Sequence, residues 1–246
     1  MAVDPGRVAA WDLGRGLIGI AGATKTVPIL LALPFACAAR TGREAAAVVV
    51  GAGVTFGVVL LPFLANSPDI LETMRDYHGL PAFGGLGLIL QPAFAANVLS
   101  NTPQQPDLDR LLTIATDLPK ALLIPALVAL AVLLIWKRPD AVTGILLTYL
   151  TVFVFGVNFV VSYLIWCIPF LIVRGHLFAA LILQLGMAPA MLSVFTAPVS
   201  HGFAVVFYTG AMIVFWLTAL TTLCVLTYRL VRQSSVMAGT AARAAG

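Results

Sequence analysis

Three stretches of this chain, residues 45–68, 141–173 and 175–228, contain no Asp, Glu, Lys or Arg. A helix needs about 20 apolar residues to cross the hydrocarbon layer of a bilayer, so these stretches hold several crossings. Inside lipid every backbone N–H and C=O must find a partner within the protein, which makes such stretches helical. Of the 246 residues, 61% are apolar and only 10% are charged, against about 25% charged in a soluble domain. Too few charges remain to cover a water-facing surface, and the apolar excess equally excludes a disordered chain. The expected fold class is all-α, a polytopic integral membrane helical bundle of about six full spans plus an N-terminal re-entrant helical hairpin, forming a single transmembrane domain over residues 1–246.

The first clear span is 45–66, and the next runs from about Pro119 to Trp136. The turn Lys137-Arg138-Pro139-Asp140 stops that helix and starts another. Residues 141–173 are too long for one span and read as two helices, 141–156 and 160–173, turning around Asn158. Arg174 and His176 mark the next turn, and two more spans follow at about 177–195 and 203–228, joined by Pro198-Val199-Ser200-His201-Gly202. The first forty residues are less regular. Residues 8–39 are apolar but carry Arg15, Lys25, Pro28 and Pro34. A single span would bring Lys25 near mid-membrane, at a cost of about 2.5–3.5 kcal/mol. Two shorter helices, 8–23 and 27–39, place it in a protein-lined turn instead, and basic residues on both flanks put both ends of the hairpin on one side.

The loops orient the bundle. Arg40, Arg43, Lys137, Arg138, Arg174 and the arginines of the tail fall on one side. The segment 67–118 falls on the other, with six acids against two arginines, a net −4 in a chain of +4. Basic residues stay cytoplasmic, so the C-terminus is expected in the cytoplasm, the 67–118 loop with its interfacial helices is extracytoplasmic, and the membrane is the plasma membrane. Ser67 is a candidate N-cap for an amphipathic helix along the outer interface. The tail 233–246 is small and polar and is expected to be disordered. The first sixteen residues hold two aspartates among their arginines and do not read as a signal peptide.

The basic residues never run longer than Lys137-Arg138, which excludes a nucleic-acid surface. Cys37, Cys167 and Cys224 lie singly in apolar stretches and read as buried, inert thiols, with no metal site and no cofactor motif. The absence of acids from the confident spans argues against ion-coupled transport. Three places could carry chemistry. Lys25 could neutralise a lipid phosphate or snorkel to a headgroup. Arg75, Tyr77 and His78 could form the polar wall of a substrate cavity, binding a phosphate or a sugar hydroxyl, or the wet face of an interfacial helix. Asn158, Tyr163 and Trp166 lie near the outer end of a span, where an aromatic belt also accounts for the two rings. His176 and His201 occupy turns on opposite sides and cannot share a metal.

Two motifs extend this reading. Gly16-Leu17-Ile18-Gly19-Ile20-Ala21-Gly22-Ala23-Thr24-Lys25-Thr26-Val27-Pro28 is followed by a leucine-rich stretch, and Tyr163-Leu164-Ile165-Trp166-Cys167-Ile168-Pro169-Phe170 comes later. Over residues 8–230 the chain resembles the C-terminal part of the GT-C polyprenyl-phosphate-dependent glycosyltransferases, nearest the mannosyltransferases of glycosyltransferase family 87. The resemblance implies transfer of a mannose-like sugar from a polyprenyl-phosphate donor to an extracytoplasmic glycan or glycolipid acceptor, with no nucleotide pocket. It implies Lys25 at the donor phosphate, Arg75, Tyr77 and His78 in the cavity wall, and Asn158, Tyr163 and Trp166 beside the sugar or lipid. No residue matches the family's catalytic aspartate, so this part is expected to bind the lipid donor while a partner chain or an upstream region carries the base. A non-catalytic membrane subunit and a lipid or small-molecule transporter remain the alternatives.

Overall fold

In the computed structural model the protein is described over residues 16–23, 27–67, 69, 84–90, 108–156, 161–196 and 201–244. The described residues are helical and include no strand. In chain order they are α1 (16–23), a 3-10 turn (Val27–Leu31) leading into α2 (Ala32–Ala38), α3 (Gly42–Asn66), α4 (Gly85–Leu90), α5 (Leu108–Lys137), α6 (Ala141–Phe155), a 3-10 helix (Val161–Cys167) leading into α7 (Ile168–Val173), α8 (Leu177–Thr196) and α9 (His201–Ala244). Two segments are long and apolar enough to cross a membrane, Gly42–Asn66 and Val206–Arg232. Pro28–Ala38, Ala121–Lys137, Ala141–Phe155 and Leu177–Leu192 are apolar but shorter.

The surface of these helices suits lipid and not water. Only 11% of the apolar window in α3 and 22% of that in α9 is buried. Val49, Val50, Val54, Val58, Leu61 and Phe63 all point outward from α3. A soluble protein rarely exposes a contiguous apolar patch beyond a few hundred Å², whereas lipid tails are as apolar as these side chains. The 25 residues of α3 rise about 37 Å, enough to span a hydrocarbon layer of about 30 Å.

The described residues of Met1–Tyr77 and Ala131–Thr148 form one compact unit. Its packing depends on close approach: a Cβ on Gly19 of α1 would lie 2.6 Å from the Ala52 carbonyl oxygen of α3 and 2.6 Å from Thr55 Cβ. Helix association in lipid runs on such small-residue contacts. Local chemistry sets the helix ends. Thr41 caps α3 by accepting from the Glu44 amide at 3.1 Å, and Glu44 reaches back to accept from the Arg40 amide at 2.8 Å. This is the reciprocal Thr-x-x-Glu device of a capping box, shifted by one residue on the return. Asp140 does the same for α6, accepting from the Thr143 amide at 3.2 Å and from its hydroxyl at 2.9 Å. Arg138, with φ +44, turns the chain out of α5.

The described residues of His78–Leu130 and Tyr149–Gly246 form the second unit, in which α8 packs along α9, and α7 and the 3-10 helix against α8. The α7–α8 turn is a Schellman motif: the His176 amide donates to the Leu171 carbonyl at 2.8 Å and the Gly175 amide to Ile172 at 2.9 Å. Gly175 sits at φ +72, where a Cβ would be strained.

Several expectations are corrected. The helix that holds the span expected from about Pro119 begins earlier, at Leu108, and carries Pro119 and Pro125 inside it; its apolar stretch is Ala121–Lys137. Prolines are tolerated within membrane helices where neighbouring groups take up the freed carbonyls, so Pro119 does not mark the start of the helix. The helix expected over 160–173 is a 3-10 helix and then α7, with Pro169 in the first turn of α7. Proline has no N–H to donate to the preceding turn, and the first turn of a new helix is where that loss is harmless. The tail expected to be disordered continues as helix to Ala244; its alanines and methionine are good helix formers, and α9 enters it already nucleated. Ser67 closes α3, its amide donating to Phe63 at 2.8 Å; the amphipathic helix expected after it lies outside the described residues.

Candidate functional site

Of the residues expected from the sequence to bind substrate, Tyr163 and Trp166 lie among those described; Lys25, Arg75, Tyr77, His78 and Asn158 lie outside them. The two rings stack face to face, with centroids 4.8 Å apart and planes 14° apart. The backbone explains this. A 3-10 helix has three residues per turn, so side chains at i and i+3 eclipse each other, and Tyr163 and Trp166 are so spaced on Val161–Cys167. On an α-helix the same pair would diverge by about 60°.

The stack is the half-buried end of a longer aromatic row. Trp166 meets Tyr149 of α6 at 6.2 Å, and Tyr149 meets Phe153 at 6.0 Å and Phe170 of α7 at 6.0 Å. Phe153 in turn meets Phe215 of α9 edge-on at 5.9 Å. Burial deepens along the row: Tyr163 and Trp166 are half-buried, Tyr149 is 5% exposed, and Phe153 and Phe215 are 1% exposed. Aromatic pairs of this geometry contribute about 0.5–1.5 kcal/mol each beyond their area, so the inner rings support the outer pair through Trp166. Next to the row, the Trp216 indole N–H donates to the Val154 carbonyl at 2.9 Å. That carbonyl lies in the last turn of α6, where helical partners run out. The indole supplies a donor there.

Tyr149, Phe153, Phe170, Phe215 and Trp216 were not singled out from the sequence. The i, i+4 spacing of Tyr149 and Phe153 is a legible signal for a ring pair on one helix; their meeting with α9 is tertiary. The platform can stack on an apolar sugar face or hold an isoprenoid chain, but its rings offer no acid–base pair. Among the described residues no group of three or more His, Cys, Asp or Glu could hold a metal. The three cysteines are free; Cys167 is buried as expected, Cys37 is half-buried, and Cys224 is exposed on the apolar flank of α9, correcting the expectation that all three are buried. His176, in the α7–α8 turn, is held below its ordinary value of 6.5 by burial first and then by the charges of Arg229 and Arg174. No family model matches the chain, and neither a curated protein nor a solved structure matches it.

Proposed function

We propose that this protein is an integral membrane protein of the plasma membrane, with about six spans and a cytoplasmic C-terminus, that binds the lipid donor in a polyprenyl-phosphate-dependent glycosyl transfer of the GT-C type. The observation that carries the reading is the stacked pair Tyr163–Trp166, half-buried at the end of a rigid aromatic row. It belongs to the Tyr-Leu-Ile-Trp-Cys-Ile-Pro motif on which the resemblance rests. A flat, preorganised aromatic face in an apolar bundle suits the apolar side of a hexose or the first isoprene units of its carrier. Lys25 supplies the phosphate counter-charge in this reading, and Arg75, Tyr77 and His78 the polar wall of the cavity, with Asn158 beside it. The acceptor is an extracytoplasmic glycan or glycolipid, and the general base comes from a partner chain or another region.

The test is donor retention. The purified chain in phosphatidylcholine nanodiscs is titrated with a radiolabelled polyprenyl-phosphate hexose and with the sugar-free polyprenyl phosphate. Trp166→Ala is expected to weaken the glycosylated donor about tenfold, the scale of one lost aromatic stack. Lys25→Ala is expected to weaken both ligands. Unchanged retention in both variants would sink the reading. Uptake of solute by vesicles lacking any acceptor would favour the transporter instead.

A further inference from the structure

α9 keeps two faces apart along its whole apolar length. At about 100° of turn per residue, Tyr208, Met212, Phe215, Ala219 and Leu226 fall on one side of the helix, and all five are buried. Val206, Val214, Leu217, Val225, Tyr228 and Arg232 share a sector of about 100° on the opposite side, and all six are exposed. Arg229 borders that sector and is exposed too.

The residue types on the outward face follow an order. From Val206 to Val225 there is no Asp, Glu, Lys or Arg, and this stretch rises about 30 Å, the thickness of a bilayer's hydrocarbon layer. Tyr228 comes one turn later, and Arg229 and Arg232 complete the span Val206–Arg232. These three occupy about the next 10 Å along the axis, where headgroups replace hydrocarbon. A tyrosine, apolar in its ring and polar at its tip, suits that boundary. Arginines there reach phosphates while their stems lie along the acyl chains. α9 contains no Asp or Glu, so this end of the face attracts anions. A protein partner imposes no such spacing of apolar, aromatic and basic zones; a bilayer does.

We infer that the outward face of α9 lies against lipid along its length and that Tyr228, Arg229 and Arg232 at its end bind the headgroups of anionic phospholipids. The inference rests on the membrane residence proposed above and uses none of the residues named for the sugar donor. It fixes the depth of α9, whose continuation to Ala244 then leaves the bilayer as helix.

Photocrosslinking of the full chain in nanodiscs tests it. Benzoylphenylalanine replaces Val206, Leu217 or Val225, one at a time, in phosphatidylcholine holding a minor share of phosphatidylglycerol with the same acyl chains, and mass spectrometry identifies the adducts. Lipid adducts are expected at all three positions. At Val225, next to the basic end, they are expected to be enriched in phosphatidylglycerol, roughly fivefold for each arginine; at Val206 they are expected to follow the bulk mixture. Arg229→Gln with Arg232→Gln is expected to remove the enrichment, and Arg40→Gln with Arg43→Gln, which removes the same charge elsewhere, to leave it. The inference is overturned if Val225 shows no more enrichment than Val206 with both arginines in place, if the Arg229/Arg232 variant keeps the enrichment, or if the Arg40/Arg43 variant loses it. Adducts between two copies of the chain in place of lipid would make the face a protein interface and overturn it as well. The same probe at Val54 of α3 separates this inference from the membrane residence beneath it. Lipid adducts at Val54 with none on α9 defeat the inference alone; none at any position defeats both.

Discussion

α3 and α6 are both strongly apolar helices without a charge in their central turns, and they meet opposite surroundings. On α3, Val48 and Ala52 are buried while most of the large side chains point outward. On α6, every residue from Gly144 to Val154 is buried. A uniformly apolar helix in water has one place to go, the core. In a bilayer it has two, because lipid and protein interior are equally apolar. Length then separates the cases. The 25 residues of α3 rise about 37 Å, and the 15 of α6 rise about 23 Å. Near the end of α6 the Trp216 indole donates to the Val154 carbonyl, a protein partner for one of the helix's last carbonyls.

The largest test of that contrast is a pair of truncations. Leu147→Ala, at a fully buried position of α6, is expected to cost about 2–5 kcal/mol through the cavity it leaves. Val54→Ala on the outward face of α3 is expected to stay within about 0.5 kcal/mol. Thermal unfolding in detergent reads both, and equal losses would erase the distinction. Next comes a place where α3 is tightly packed. Gly19→Leu is expected to cost about 1–3 kcal/mol by forcing α1 off α3, while Gly53→Ala, with nothing within 4 Å of a new Cβ, is expected to be neutral or stabilising by up to about 1 kcal/mol. The helix ends sharpen the comparison further. Trp216→Phe keeps the ring but strips the donor from Val154, an expected loss of about 1–2 kcal/mol. Thr41→Ala removes the exposed cap of α3 for about 1 kcal/mol. Hydrogen exchange at the last turn of α6 should rise in the first variant and not in the second.

The smallest expected effect is a pH dependence. His176 has a lowered value in the folded chain, so folding favours its neutral form. The stability it contributes is present above its ordinary value of 6.5 and is lost as pH falls through the lowered value. His176→Gln should flatten this part of a melting-temperature profile below pH 6.5; an identical slope in the variant would assign the dependence to another group.

Much of the local structure was legible because it rests on residues near each other in the chain. Lys137-Arg138-Pro139-Asp140 separates α5 from α6 because Asp140 is a short acceptor side chain at a helix start. Arg174-Gly175-His176 separates α7 from α8 because Gly175 takes the left-handed conformation the turn requires. Tyr163 and Trp166 stood out as rings near the end of an apolar run, but their face-to-face stacking did not, since three-residue spacing eclipses the rings on a 3-10 helix and offsets them by about 60° on an α-helix. The continuation of α9 to Ala244 was missed because small, polar-looking residues mark a tail by composition, although most of them favour a helix once one has started.

By itself, then, the sequence determined that this is a helical chain with an apolar surface, through charge-free runs that leave the backbone no other way to satisfy its hydrogen bonds in lipid. It also determined where most helices stop, through caps and turns of a few residues. Only the tertiary structure decided which apolar helix is walled in by protein and which faces outward, and which rings form one row. Hydropathy cannot tell a lipid neighbour from a protein neighbour; packing geometry can.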